Sequence, residues 1–208
     1  MPQNKDIYLI GAGGHAKVIL ALLEESGYKC RGIYDDDEKL WGATLWNIPI
    51  NGPVGALPDR SGISAVIAIG NNDIRRRVSE MFKNIHWETL MHPHCWVHSS
   101  VILGAGTVVF AGAVIQPDTV IGKQTIINTC ASIDHDCHIG DYCHIAPGCH
   151  IAGGVSIGNN SFLGINSSVI PYKKICEGTV IGACGAVIGD LNAPGIYAGI
   201  PVHMVKSR

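Results

Sequence analysis

Apolar residues recur along this chain with two different periods. From Val97 to Val187 every sixth residue is aliphatic, sixteen in phase with no insertion, running Val97, Leu103, Val109, Ile115 and so on to Ile181 and Val187. Four residues after each aliphatic stands a mostly small one, among them Thr107, Ala113, Thr119, Cys137, Cys143 and Cys149. Glycine often follows the aliphatic directly, as at Gly122, Gly140, Gly158, Gly164 and Gly182. This register predicts a parallel β-helix of hexapeptide repeats, in which each hexad supplies a short strand and a turn and three hexads close one triangular coil. The aliphatic side chain fills the axis, the small one lets the turn pack beside it, and stacking supplies the stability that one hexad lacks. Lys173, in Pro171-Tyr172-Lys173-Lys174, falls where a small residue belongs. A lysine does not enter such a core without a partner, so a local bulge with the lysine turned outward is expected.

Before the repeat the pattern changes to strands alternating with helices, which implies a parallel sheet. Asp6–Ile10 reads as a buried strand and Gly14–Ser26 as an amphipathic helix with Val18, Leu22 and Leu23 on its apolar face. Cys30–Tyr34, Ser64–Ile69 and Trp87–Met91 read as strands and Ile74–Lys83 as a helix. Asp35–Asp59 is rich in turn residues and is expected to loop over one face. Charge follows the same division: residues 1–96 carry 21 charged side chains and residues 97–192 carry 9. Two domains are expected, 1–92 and 93–208, with the break near His92-Pro93-His94, where the residue before proline is pushed out of helix.

Gly11-Ala12-Gly13-Gly14-His15 lies between the first strand and the first helix. A glycine-rich turn there lets backbone N–H groups approach a phosphate while the helix N-terminus adds partial positive charge. Asp35 and Asp36 end the next strand, where an acidic group commonly meets a ribose hydroxyl. Gly70 ends the third strand on the same edge, the carboxyl edge where open α/β sheets bind ligands. A full dinucleotide fold needs two such halves, so a nucleotide-linked ligand on one half-Rossmann-like cradle fits better than NAD. The bland alternative is a tight structural turn.

The chain has 208 residues with 47% hydrophobic and 15% charged, against roughly 25% charged in an ordinary domain. A formal charge of −2 gives no global electrostatic case for nucleic acid or an anionic membrane. No apolar run approaches a transmembrane length, and the N-terminus lacks a secretory pattern, so a cytoplasmic protein with reduced thiols is expected. Cys137, Cys143 and Cys149 fit the repeat as small core groups, no CxxC pair is present, and no metal is expected. His135 occupies neither slot of its hexad, so it should point outward, flanked by Asp134 and Asp136. A carboxylate beside an imidazole orients it and raises its basicity, which suits a general base near neutral pH. His144 stands nearby and is a candidate for the same cleft; a solvated surface histidine is the alternative for either.

Taken together, IYLIGAGGHAKV at 7–18, YDDD at 34–37, IAIGNNDIRRRV at 67–78, the hexads, INTCASIDHDCHIGDYCHIAPG at 127–148 and AGIP at 198–201 resemble the bacterial nucleotide-sugar acetyltransferases of the PglD type, grouped with NeuD-like enzymes. The resemblance implies a small α/β domain followed by a left-handed parallel β-helix, usually in a homotrimer. It implies transfer of acetyl from acetyl-CoA to the amine of a nucleotide-linked 4-amino-4,6-dideoxy sugar. Carried over by motif, His135 is the general base and Asp136 the acid that raises its basicity. His144 contacts the thioester region, and Gly153, Ile165 and Ala183 line the CoA groove between neighbouring β-helices. Gly13, Gly14 and His15 hold the diphosphate, and Asp35, Asp36 and Gly70 hold the rest of the nucleotide. The tail Pro201-Val202-His203 departs from the common Pro-Ala-Lys, so Lys173, Lys174 or Lys206 would have to meet the CoA phosphates. Two other classes share these features: a sialic-acid-type sugar O-acetyltransferase, and a non-catalytic nucleotide-sugar-binding β-helix.

Overall fold

A computed structural model describes residues 6–207. The chain divides into two compact units, one ending at Pro93 and one beginning at His94.

The first unit is a mostly parallel sheet with β1 (Asp6–Ile10) near its centre. β1 pairs in parallel with β2 (Lys29–Tyr34) on one side, and α1 (Gly14–Glu25) connects them. Ala16, Ile19, Leu20, Leu22 and Leu23 are the buried face of α1. Val18, expected on that face, is 43% exposed, because it lies about a third of a turn from the centre of the buried face, beyond Leu22 at its margin. The helix ends where Gly27 takes φ +74 and Tyr28 N–H donates to the Leu23 carbonyl at 2.9 Å, a Schellman closure that only a residue tolerant of left-handed backbone permits.

The expected loop over Asp35–Asp59 is instead partly sheet. β3 (Thr44–Leu45) and β4 (Ile48–Gly52) form a hairpin, and β4 adds in parallel to β2. Trp46 and Asn47 turn it with φ of 50° and 63°, the double positive φ that matches strand twist. The proline inside Ile48-Pro49-Ile50 masked this strand, since proline is confined to edges. β5 (Ser64–Ile67) flanks β1 on the other side and α2 (Asn72–Met81) follows, capped by the Asn71 side chain on Ile74 N–H at 3.0 Å. The expected Trp87–Met91 strand is two short pieces, β6 (His86–Trp87) beside β5 and β7 (Leu90–Met91).

The second unit contains sixteen two-residue strands, from Trp96–Val97 to Ala186–Val187, each beginning six residues after the last. Each of the first thirteen pairs in parallel with the strand eighteen residues on, as in Ile127↔Ile145 and Ile133↔Ile151. Three flat sheets therefore enclose a triangular prism of about five coils. From Val109 onward every aliphatic of the sixfold series is at most 3% exposed. Each is worth about 1.5–3 kcal/mol in burial. The small slot does more than make room. Thr107, Thr119, Thr125, Cys137, Cys143 and Cys149 each donate to the carbonyl fifteen residues ahead, at 2.7–3.3 Å, satisfying turn carbonyls that stacking would otherwise bury. No bulge forms at Lys173. Ser156↔Lys174 and Ile157↔Ile175 stay in register, and Lys173 is half-buried while its carbonyl accepts from Ser156 N–H at 2.9 Å. The exposed end of a long flexible side chain relieves what a backbone insertion was expected to relieve. After the last coil, Gly195–Ala198 adds in parallel to Val180–Ile181 and then pairs antiparallel with His203–Ser207.

Candidate active site

Stacked hexads place equivalent turns above one another along each edge of the prism. One edge carries Pro117-Asp118, His135-Asp136, Gly153-Gly154 and Pro171-Tyr172, each linked to the next by a backbone hydrogen bond of 2.9–3.1 Å. Asp136 has φ 58°, a conformation that aspartate tolerates better than most residues. Here it turns the carboxylate back on its neighbour: His135 Nδ1–H donates to Asp136 Oδ2 at 2.7 Å. Asp134 Oδ1 accepts from His135 N–H at 2.8 Å and fixes the backbone beneath the ring. With Nδ1–H on the carboxylate, Nε2 keeps its lone pair. The hydrogen bond from Asp136 raises the His135 pKa above the ordinary imidazole value, against the lowering effect of desolvation. The ring is half exposed and rests against the bare backbone of Gly153, where a Cβ would stand 2.7 Å from both Cε1 and Nε2. Gly153 therefore touches the His135 ring itself, a contact legible only once the eighteen-residue register is laid out.

The next edge carries Ile165 and Ala183, both exposed, with Cys184 N–H donating to the Ile165 carbonyl at 2.8 Å. Between the two edges a shallow groove of about 320 Å³ runs past Ser132, Asp134 and His150. His144 begins the strand on the far side of the Ile165–Ala183 edge. Its Nε2 lies 3.0 Å from Asn128 Nδ2, and the Phe162 ring meets it edge-on at 5.2 Å. Asn128 was not foreseen; it precedes the repeat's turn by one residue and nothing in the hexad pattern marks it. One chain thus brings together His135, Asp136 and Gly153 on one edge, and Ile165 with Ala183 on another. Among the described residues no cluster of three or more His, Cys, Asp or Glu is arranged to hold a metal ion.

In the first unit, the ends of β1, β2 and β5 present Gly11, Asp35 and Gly70 at one sheet edge. Gly11 has φ +102, and a Cβ there would meet Ile69 Cγ1 at 2.9 Å, so this glycine serves the crossing of β1 and β5. Gly13, Gly14 and Gly70 are different: a Cβ on any of them meets nothing within 4 Å. The fold's own packing does not demand them, which leaves bare backbone at the N-terminus of α1. Asp35 organises this turn, its two carboxylate oxygens accepting from Ala12 N–H at 2.7 Å and Asp37 N–H at 2.8 Å. Asp36 accepts from Val54 N–H at 2.9 Å. His15 lies largely buried, and burial, then the Arg75 cation, push its pKa down to about 4. Arg75 is 1% exposed and its guanidinium donates to the Ile69 and Gly70 carbonyls and to Asn72 Oδ1 at 2.8–3.1 Å. It pins the loop that carries Gly70, and sequence reasoning did not single it out from the run Arg75-Arg76-Arg77.

Comparison with known proteins agrees with this anatomy. Residues 6–82 match the PglD N-terminal domain family and residues 118–153 the bacterial transferase hexapeptide family (six repeats). The acetyltransferase domain of PglB from Neisseria gonorrhoeae FA1090, solved with acetyl coenzyme A, superposes with a TM-score of 0.90 at 32% identity, covering 98% of this chain and 100% of that one. PerB from Caulobacter crescentus, solved with CoA and GDP-perosamine, superposes at 0.89 with 36% identity over 96% of each chain. A UDP-N-acetylbacillosamine N-acetyltransferase of Bacillus subtilis (strain 168) is 35% identical over 115 residues, 50% of each chain. The matched stretches span 20% and 50% of the length of two curated relatives. With both regions matched, and solved structures above 30% identity over nearly the full length, the chain belongs to the PglD-type family of bacterial nucleotide-sugar acetyltransferases, which are hexapeptide-repeat acyltransferases.

Proposed function

We propose that the chain transfers acetyl from acetyl-CoA to the amine of a nucleotide-linked 4-amino-4,6-dideoxy sugar, by direct attack with His135 as general base. The observation that carries this reading is the His135–Asp136 pair at 2.7 Å, with Nε2 of the half-exposed ring over the bare backbone of Gly153. A sugar ammonium must lose a proton before its nitrogen can attack. His135 Nε2 takes that proton, and Asp136 steadies the imidazolium through Nδ1–H. The nitrogen forms a bond to the thioester carbon and the C–S bond breaks; the proton held on Nε2 is released to solvent, and the second proton that the nitrogen sheds as the amide forms ends on the departing thiolate. Positioned proton transfer of this kind is worth about 10²–10⁴-fold. No acetyl-cysteine intermediate is invoked, since burial raises the Cys137 and Cys149 thiol pKa values above the ordinary range.

Gly13, Gly14 and His15 hold the diphosphate in this reading, Gly70 and the Asp35–Asp36 turn the remainder of the nucleotide. Asp35 already spends an oxygen on each of two backbone amides, so its first task is to shape the turn. The CoA groove is completed by a second copy of the chain, in a homotrimer. The support is that Gly153 lies on the His135 edge of the prism while Ile165 and Ala183 lie on another. PerB is solved with CoA and a GDP-linked amino sugar, and the Bacillus subtilis relative is a UDP-N-acetylbacillosamine N-acetyltransferase, which favours nitrogen over oxygen as the acceptor atom. The reading places the reaction in the cytoplasm, where both substrates are made. Among the described residues no helix is long and apolar enough to cross a membrane.

The test is product mass spectrometry with acetyl-CoA and a panel of UDP-, GDP- and dTDP-linked 4-amino-4,6-dideoxy sugars. A gain of one acetyl group on one of them is expected. No gain on any, with acetyl-CoA still bound, refutes the amine acceptor and leaves a sugar hydroxyl as the next candidate.

A further inference from the structure

The edge that bears His135 has a second feature that the reaction above does not use. Two turns beyond Asp136 stands Tyr172, with φ 61°. At about 4.8 Å per stacked strand that is roughly 10 Å along the edge. A left-handed backbone disfavours a bulky side chain, and burial elsewhere in the repeat shows what offsets it. Tyr142, also left-handed at φ 59°, is 6% exposed and packs into its own fold. Tyr172 gains no such burial: it is 72% exposed. The Cδ1–Cε1 edge of its ring instead lies over Gly154, where a Cβ would come within 2.4 Å of Cδ1 and 2.7 Å of Cε1. Gly153 and Gly154 are thus clasped between two rings, the imidazole of His135 pressing on the first and the phenol of Tyr172 on the second. The result is a bare two-residue step, floored by backbone, with the base at one end and an exposed aromatic face at the other.

We propose that Tyr172 binds the acyl donor, its ring forming the wall against which the pantetheine arm of acetyl-CoA lies and so fixing the depth at which the thioester reaches His135. This rests on the reading of the chain as an acetyl-CoA-dependent transferase. The chemistry of the arm suits the wall. It is a thin chain of methylenes, a dimethyl branch and two amides, and an aromatic face with a phenol at its rim packs the first two and hydrogen-bonds the third. The position suits it as well, because Gly153, Ile165 and Ala183, the other groups assigned to the donor, all lie on turns at or beyond His135 in the direction of Tyr172.

The experiment is calorimetric titration of the full-length protein with acetyl-CoA, alongside steady-state kinetics, for the wild type, Tyr172→Ala and Tyr172→Phe. Removing an aromatic wall of this size raises the acetyl-CoA Kd and KM by about 5- to 20-fold. The acceptor KM stays within about twofold, and Tyr172→Phe recovers most of the lost affinity. Equal melting temperatures for wild type and Tyr172→Ala check that an exposed ring has been removed without cost to the fold. An unchanged acetyl-CoA Kd in Tyr172→Ala, or a rise in the acceptor KM instead, overturns the assignment. A wild type that binds no acetyl-CoA overturns both this proposal and the transferase reading. A wild type that binds it but acetylates no acceptor overturns the choice of acceptor alone, and the binding titration still decides Tyr172.

Discussion

Gly153→Ala separates the geometry of the base from its chemistry. Gly153 does not occupy the left-handed region, so alanine fits its backbone. The difficulty is the added methyl, which would stand 2.7 Å from His135 Cε1 and Nε2 where ordinary contact begins at 3.4 Å. The ring must retreat by at least about 0.7 Å, and its free Nε2 is the atom most directly displaced. Half exposed, the ring has solvent to swing into, so the fold yields at the side chain and not in the core. Stability should change by less than about 1 kcal/mol, in line with a surface substitution. Catalysis should suffer far more, because a misplacement near 1 Å costs on the order of 10²-fold. The expected result is a fall in kcat of about 10²-fold with an unshifted melting temperature. Structurally, Nδ1 loses the 2.7 Å bond to Asp136 if the ring swings, so the pH–rate profile should also move toward the ordinary imidazole pKa. Steady-state kinetics from pH 5.5 to 9 on the Gly153→Ala protein measures both effects. Wild-type kcat in a folded variant would refute the claim that this ring is the base.

His135→Ala should lower kcat by about 10²–10⁴-fold and leave the fold intact, measured by single-turnover acetylation. Asp136→Asn removes the hydrogen bond that raises the His135 pKa, so the acid limb of the rate profile should shift to lower pH while the plateau falls; an unmoved limb would remove Asp136 from the dyad. His15, with its pKa depressed to about 4, favours the folded state by on the order of 3 kcal/mol above pH 6.5, and this is lost as pH falls toward 4, because there the unfolded chain binds the proton first. Its imidazole resonances should show no titration between pH 5.5 and 8, and a midpoint near 6.5 would refute the burial argument. A thiol reagent should label exposed Cys130 and Cys184 on the folded chain, and Cys137 and Cys149 only after denaturation.

The β-helix was legible because its code is positional: one aliphatic in six, held in phase, can only be satisfied by coils that stack Ile127 on Ile145. The His135–Asp136 pair was legible for the opposite reason, since it falls at turn positions that the code leaves unassigned. What escaped notice is what the code hides. The role of Gly153 depends on a neighbour eighteen residues away, which only the closed coil supplies. Lys173 looked like an error in the pattern, yet the ladder absorbs it without a shift. In the first unit the strands around β1 announced themselves by continuous apolar runs, whereas β4 has Pro49 and Asn51 exposed at alternate positions and only half a buried face. Arg75 was invisible as one of three arginines, because which of them turns inward is set by the rotation of α2 against the sheet.

The antiparallel pairing of the last strand governs more than the tail. A column of parallel coils is open-ended, and any coil whose free edge matches its own lower edge is an invitation to end-on polymerisation. Gly195–Ala198 still runs parallel to the strand beneath it, so it offers that edge. His203–Ser207 reverses direction across it and occupies the offered amides and carbonyls with a strand of the wrong polarity. The reversal closes the edge of that one sheet to a further parallel coil, while the other two sheets end at Ala186–Val187 and Lys174–Ile175.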